Sequence, residues 1–180
     1  MTRNIFFETI LPYRPILWTA MFLKAISSVV WDDEKDLFPY GIVVDGCPFP
    51  DLCVFGYTSE QILDWYQAID AEGRRRYGML ALMDLFILMP MYSLFLGTEI
   101  YLSFPNFLSY VPFLALLFDL IETLTHGYAV VMFPNQLPSK MWLEITSTAT
   151  IIKFVLIGAS LLLTVTSLIR RIIMRKEKRK

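Results

Sequence analysis

Two carboxylates and the only histidine of the chain lie within one long apolar stretch. In the segment FDLIETLTHG these residues are Asp119, Glu122 and His126. On a helix, positions three, four and seven residues apart share one face, so the spacing predicts that all three side chains line one inward stripe. A carboxylate in apolar surroundings holds its proton more tightly, and with a histidine beside it forms a general acid–base pair. The chemistry indicated is proton transfer by Glu122 or Asp119, relayed by His126.

Two other charges, Asp84 and Lys153, also fall inside apolar stretches. Lys153 is an obvious counter-charge for Asp119 or Glu122, and such a pair could serve only to fix the register of the helices. A cavity lined by Asp84 and Lys153 that binds a ligand is the other reading. Spacing alone does not choose between them. A metal site is geometrically possible, but one histidine is few for it, so we predict no metal and no cofactor.

The composition is that of a membrane protein in a single domain of 180 residues. The chain is 56% hydrophobic and 18% charged, with a mean hydropathy of +0.51, whereas soluble domains are about 25% charged. The only basic cluster outside the C-terminal tail is the run of three arginines that ends at Arg76. We therefore expect no nucleic-acid partner.

Four apolar segments are predicted to span the membrane as helices, which makes the fold class an all-α integral membrane four-helix bundle. The first is the weakest because it contains Lys24, and a signal peptide is disfavoured there since no small-residue cleavage site follows. The predicted spans are residues 15–31, 77–102, 110–133 and 146–169.

The segment 32–76, between the first two spans, holds ten acidic and four basic residues. Within it, CPFPDLC brings Cys47 and Cys53 near each other, and a disulfide is predicted if the segment faces an oxidising lumen; two reduced thiols are the alternative. Further on, Ser59 is the predicted N-cap of an amphipathic helix. Its apolar positions follow helical spacing, so we expect it to lie on the membrane surface and lead into the second span.

The tail, residues 170–180, contains seven basic residues and one acid. Positive charge beside a span favours the cytoplasmic side, so four spans predict cytoplasmic termini and a lumenal segment 32–76. The ending KEKRK resembles a dilysine signal for return to the endoplasmic reticulum, with Lys176 and Lys178 at the required places. An ordinary stop-transfer cluster is the alternative to that signal.

Several of these features together resemble the EXPERA family of four-span membrane proteins, which includes sterol isomerase and sigma-2 receptor branches. The motifs are MDLFILMPMY, in which Asp84 precedes Pro90 by six residues, and ILDWYQAIDAE before the second span. The resemblance covers roughly residues 15–100. A longer similarity, which carries no function, is to small uncharacterised bacterial four-span membrane proteins.

The resemblance implies a ligand cavity in which Asp84 and an acid at the end of the first span, Asp32 or Asp33, contact the ligand. It also implies a hydrophobic, sterol-like ligand and, if the protein is an enzyme, double-bond isomerisation in which Asp84 stabilises a cationic intermediate. Asp119, Glu122 and His126 do not match the spacing of the family. The alternative is a non-catalytic membrane protein that associates with other membrane proteins, or with itself, in assembly, trafficking or lipid homeostasis.

Overall fold

The computed structural model describes residues 4–30 and 49–177, and the regular elements within these ranges are all helical. The helices are α1 (Ile5–Ile10), α2 (Arg14–Val30), α3 (Ser59–Ala68), α4 (Ala71–Met83), α5 (Met89–Tyr101), α6 (Val111–Met132) and α7 (Lys140–Glu177).

Three helical stretches of the described residues are long and apolar enough to cross a membrane. They are Ala71–Tyr101, Phe107–Met132 and Lys140–Glu177, of 31, 26 and 38 residues. These stretches confirm the all-helical class and contain, to within a residue, the second, third and fourth predicted spans. Helix α2 covers the first predicted span but has 17 residues and is not among the three.

The second span is one continuous helical stretch that contains a π-helical turn, Asp84–Leu88, between α4 and α5. Pro90 lies just after this turn and has no N–H to donate, so an ordinary helix would leave one carbonyl of the preceding turn without its partner. The wider turn is closed by the N–H of Met89, which donates to the carbonyl of Asp84. A π-turn of this kind often marks a functional position.

The predicted amphipathic helix is correct in its apolar face and wrong in its extent. Thr58, not Ser59, is the N-cap, and a reciprocal pair of hydrogen bonds with Gln61 completes a capping box. The helix ends at Ala68, and Asp70 caps the next helix by accepting from the N–H of Gly73 at 2.7 Å. The chain therefore turns between α3 and α4 instead of entering the second span directly.

The apolar face of α3 packs onto the bundle. Ile62, Trp65, Tyr66 and Ile69 are buried there in one cluster with residues of α6 and α7. Tyr57 also approaches α7, since its N–H donates to Ser147 Oγ at 2.8 Å. We call this the α3 end of the bundle.

The opposite end of the bundle, here the Glu99 end, holds both the first described residues and the last turns of α7. The backbone N–H of Asn4 donates to Tyr101 Oη at 3.0 Å. Arg14 and Arg171 both bind the carboxylate of Glu99, which lies at the end of α5. The start of α2 and the C-terminal part of α7 therefore lie on the same side.

Three predicted features fall at least partly outside the described residues. Asp33 and Cys47 lie between the two described ranges, and Lys178 follows the second one. Cys53 is buried. The Cys47–Cys53 disulfide and the dilysine signal therefore stay predictions.

Candidate functional site

The candidate site is a polar cluster near the α3 end, formed by Asp119, Glu122, His126 and Lys153, which are buried, and by the partly buried Asp51. Glu122 and His126 are 0% exposed, and Lys153 is 5% exposed. Asp119, Glu122 and His126 lie on α6, as their spacing predicts, while Lys153 comes from α7 and Asp51 from the short turn Pro50–Leu52. Three separate elements thus meet around one set of charges.

Lys153 is the centre of this polar cluster. Its ammonium binds the Glu122 carboxylate, lies 3.2 Å from Asp119 Oδ1 and donates to the Asp51 carbonyl at 3.3 Å. Thr150, one helical turn before Lys153, donates its hydroxyl to the other Glu122 oxygen. The predicted pairing of Lys153 with Asp119 or Glu122 is therefore present with both acids.

His126 is held by two tyrosines from outside the predicted spans. Tyr57 Oη lies 2.7 Å from His126 Nε2, and Tyr66 Oη lies 2.6 Å from Nδ1. Burial raises the pKa of Tyr57 and of Tyr66, so both hydroxyls keep their protons. A neutral imidazole has one donor and one acceptor nitrogen, so one tyrosine donates to the ring and the other accepts from it.

Asp51 joins the segment that precedes α3 to the cluster. Its side chain accepts a hydrogen bond from Tyr77 Oη at 2.7 Å, at the start of the second span. Burial raises the pKa of the Asp51 carboxyl, an effect that the charge of Lys153 and the hydrogen bond from Tyr77 oppose. Sequence pattern does not single out Asp51, because a loop acid reaches the bundle only through the turn that carries it.

Asp84 lies apart from Lys153, beside the cluster. It is partly exposed and accepts from Thr123 Oγ1 at 3.2 Å. About two helical turns further along, Tyr92 donates to Asp119 Oδ2 at 3.0 Å. Among the described residues no cation forms an ion pair with Asp84. Of the predicted ligand-binding residues, Lys153 belongs to the cluster and Asp84 lies at its partly exposed side.

A different trio from the one considered in the sequence could converge on a metal ion. One ligand atom each of Asp51, Glu122 and His126 lies within 4.8 Å of the other two. The same atoms are engaged by protein groups, because Lys153 binds Glu122 and tyrosines bind both ring nitrogens of His126. A metal ion would therefore have to displace Tyr57 or Tyr66 from the ring.

No protein-family model, curated protein or solved structure matches this chain. The resemblance to the EXPERA family therefore rests on the short motifs around Asp84 and before the second span.

Proposed function

We propose that this chain is a multi-pass protein of the endoplasmic reticulum membrane that binds a hydrophobic, sterol-like small molecule between its helices, with Asp84 receiving the polar or cationic group of the ligand. The observation that carries the proposal is Asp84 itself, a partly exposed carboxylate inside a stretch long and apolar enough to span the bilayer. Acids in such segments are costly and mark functional sites by default.

The surroundings of Asp84 suit a ligand that arrives from the bilayer. Its neighbours Met83, Phe86 and Ile87 are exposed apolar side chains, with Phe86 72% exposed. The π-turn that begins at Asp84 offsets this part of the helix from a regular α-helical path. An apolar surface with a single carboxylate fits a largely apolar molecule with one polar end.

Charge balance supports a cationic or hydrogen-bond-donating end group. Apart from His126, the described residues of the cluster, together with Asp84 beside it, supply four carboxylates and one ammonium, that of Lys153. The carboxylates are Asp51, Asp84, Asp119 and Glu122. In surroundings of low dielectric this surplus of acids favours protons or a positively charged ligand group.

Binding is better supported than isomerisation. A proton donor must reach the ligand within hydrogen-bond distance, whereas Glu122 and His126 are 0% exposed and engaged by Lys153, Thr150 and two tyrosines. Isomerase-type chemistry would need Lys153 to leave Glu122. We therefore propose binding as the function; catalysis by Glu122, Asp119 and His126 would additionally require that these side chains reach the ligand.

A second candidate function follows from the same internal pairing of the buried charges. A non-catalytic protein that associates with other membrane helices needs an internally neutralised centre and an apolar exterior, and the Lys153 pairs supply the first. This candidate predicts no specific ligand at Asp84.

The location in the cell is part of the proposal. The shared side of Arg14 and Arg171 supports four spans, because an even number of crossings returns the chain to its starting side. Basic residues after Ile169 support a cytoplasmic tail, and KEKRK supports retention in the endoplasmic reticulum.

Photo-crosslinking of the full chain in lipid nanodiscs tests ligand binding, with a photoreactive aminosterol as the probe and unlabelled sterols as competitors. Loss of a charged hydrogen bond should make Asp84→Asn weaken labelling by about tenfold or more. The control is Asp64→Asn on the exposed side of α3, which should label like the parent. Equal labelling of both variants, or labelling of the parent that unlabelled sterols do not compete, would reject the proposal in favour of the association function.

A further inference from the structure

The last turns of α7 carry a concentration of positive charge. Residues 170–180 contain seven basic residues and one acid. Four of the cations lie in the described part of the helix, namely Arg170, Arg171, Arg175 and Lys176.

The position of these cations relative to the bilayer follows from the packing of α7. Arg171 binds Glu99, and Arg170 donates to the carbonyl of Ser103 at 2.9 Å, so the helix is fixed where α5 ends. At 1.5 Å per residue the 38 residues of α7 measure about 57 Å, against a hydrocarbon core of about 30 Å. The helix therefore continues beyond the hydrocarbon.

Aromatic side chains mark the boundary at the same end. Tyr13, Trp18 and Tyr110 are all partly exposed at the Glu99 end. Tyrosine and tryptophan concentrate at the level of the headgroups. The residues of α7 after Arg171 are therefore at or just outside the headgroup layer.

The cations of this region differ in how they are engaged. Arg170 and Arg171 are held by α5 and the loop that follows it. Arg175 and Lys176 are exposed, and neither forms an ion pair within residues 4–30 and 49–177. The charges of Arg175 and Lys176 are therefore accessible at the surface of the protein.

Exposed apolar side chains lie between these cations. Ile172 and Ile173 are more than half exposed, and Met174 follows them. Long cationic side chains extend to the phosphates while apolar neighbours enter the acyl boundary. A water-facing helix that bound nucleic acid or free phosphate would gain nothing from these isoleucines.

We propose that the C-terminal part of α7 binds the headgroups of anionic phospholipids. Arg175 and Lys176 contact the headgroups, and Arg170 and Arg171 hold this part of the helix in place through their bonds to Ser103 and Glu99. Basic clusters immediately beside a span are attracted to anionic lipids over a distance of about one Debye length. This surface is at the opposite end of the bundle from the polar cluster and does not depend on ligand binding at Asp84.

Lipid selectivity can be measured on the full chain reconstituted in phosphatidylcholine vesicles. Spin-labelled phosphatidylserine and phosphatidylcholine report the fraction of each lipid held at the protein surface. The parent should hold phosphatidylserine preferentially, and the preference should fall as salt is raised, because salt screens exposed charges.

The double variant Arg175→Gln/Lys176→Gln should lower the selectivity by about fivefold per charge at most. Arg175→Lys should keep it, since the charge is retained. The control Arg75→Gln/Arg76→Gln removes two cations at the α3 end that both pair with Glu72, so it should leave the selectivity unchanged. Equal retention of both lipids by the parent would overturn the proposal, and so would a preference that survives in the first double variant or is lost in the control.

Inorganic phosphate distinguishes a lipid surface from a simple anion site. Phosphate and chloride are added in turn at the same ionic strength. If the ligand is a lipid, phosphate should displace spin-labelled phosphatidylserine no better than chloride does. Specific displacement by phosphate would show that a free anion, not a lipid, is the ligand.

Discussion

At the scale of single residues, Gly56 determines how the segment that precedes α3 reaches the bundle. Its φ of +80° lies in the left-handed region that side chains disfavour, and an added Cβ would lie 2.7 Å from Ser147 Oγ. Ser147 is also the acceptor for the N–H of Tyr57. One glycine thus aligns Tyr57 with His126.

Gly56→Ala should destabilise the protein by about 1–3 kcal/mol, because a left-handed conformation is strained for alanine and Ser147 must shift. The thermal unfolding midpoint of the detergent-solubilised protein measures the effect. Gly158→Ala is the control, since nothing lies within 4 Å of its added Cβ and it sits inside α7. A loss of stability as large for Gly158→Ala would contradict the explanation.

At the scale of elements, the ion pairs of Lys153 join α6 to α7. Asp119 and Glu122 are both buried and both bind this ammonium. Removing one partner of a buried pair leaves an uncompensated charge, which costs more than the pair itself contributes.

Lys153→Met should therefore lower the free energy of unfolding by about 3–5 kcal/mol. Adding Glu122→Gln to that variant should restore part of the loss, because one of the two orphaned acids is then neutral. Denaturant titrations in detergent give the free energy of unfolding of the parent, of Lys153→Met and of the double variant.

The control is Lys140→Met, at the exposed pair of Lys140 and Glu60, in which both side chains are 65% exposed. Solvent screens that pair, although the hydrogen bond from Lys140 lowers the pKa of Glu60. Similar losses for the two lysine variants would show that the Lys153 pairs do not hold the helices together.

The sequence predicts the parts of this site that lie on one helix. The spacing of Asp119, Glu122 and His126 places them together because helical geometry is local. Tyr57 and Asp51 could not be predicted, since they approach the cluster through a turn whose path depends on packing between distant segments. The break between α3 and α4 is also not predictable from the apolar pattern. That pattern continues through Ile69, whereas Asp70 already caps a new helix.

At the scale of the whole molecule, the positions of the basic residues predict which side of the membrane each end of the bundle faces. Arg14 and Arg171 meet at Glu99, so the start of α2 and the end of α7 share a side. The arginines at the start of α4 lie at the other end, but they are fewer than the basic residues of the tail.

In sealed microsomes, an epitope on the tail should be removed by added protease, because the excess of positive charge beside a span favours the cytoplasmic face. An epitope inserted before Phe49 should be protected until detergent is added. A protected tail would reverse the orientation proposed here.

The pairing of acids with later cations has a consequence for biosynthesis. Asp119 and Glu122 precede Lys153 in the chain, and Glu99 precedes Arg171. Since a chain is made from its N-terminus, these acids are translated before α7 exists, when Arg14 is the cation of the described residues that pairs with Glu99. Helix α7 thus supplies the cation that pairs with Asp119 and Glu122 and a second cation for Glu99, and a nascent chain that lacks α7 leaves Asp119 and Glu122 without Lys153.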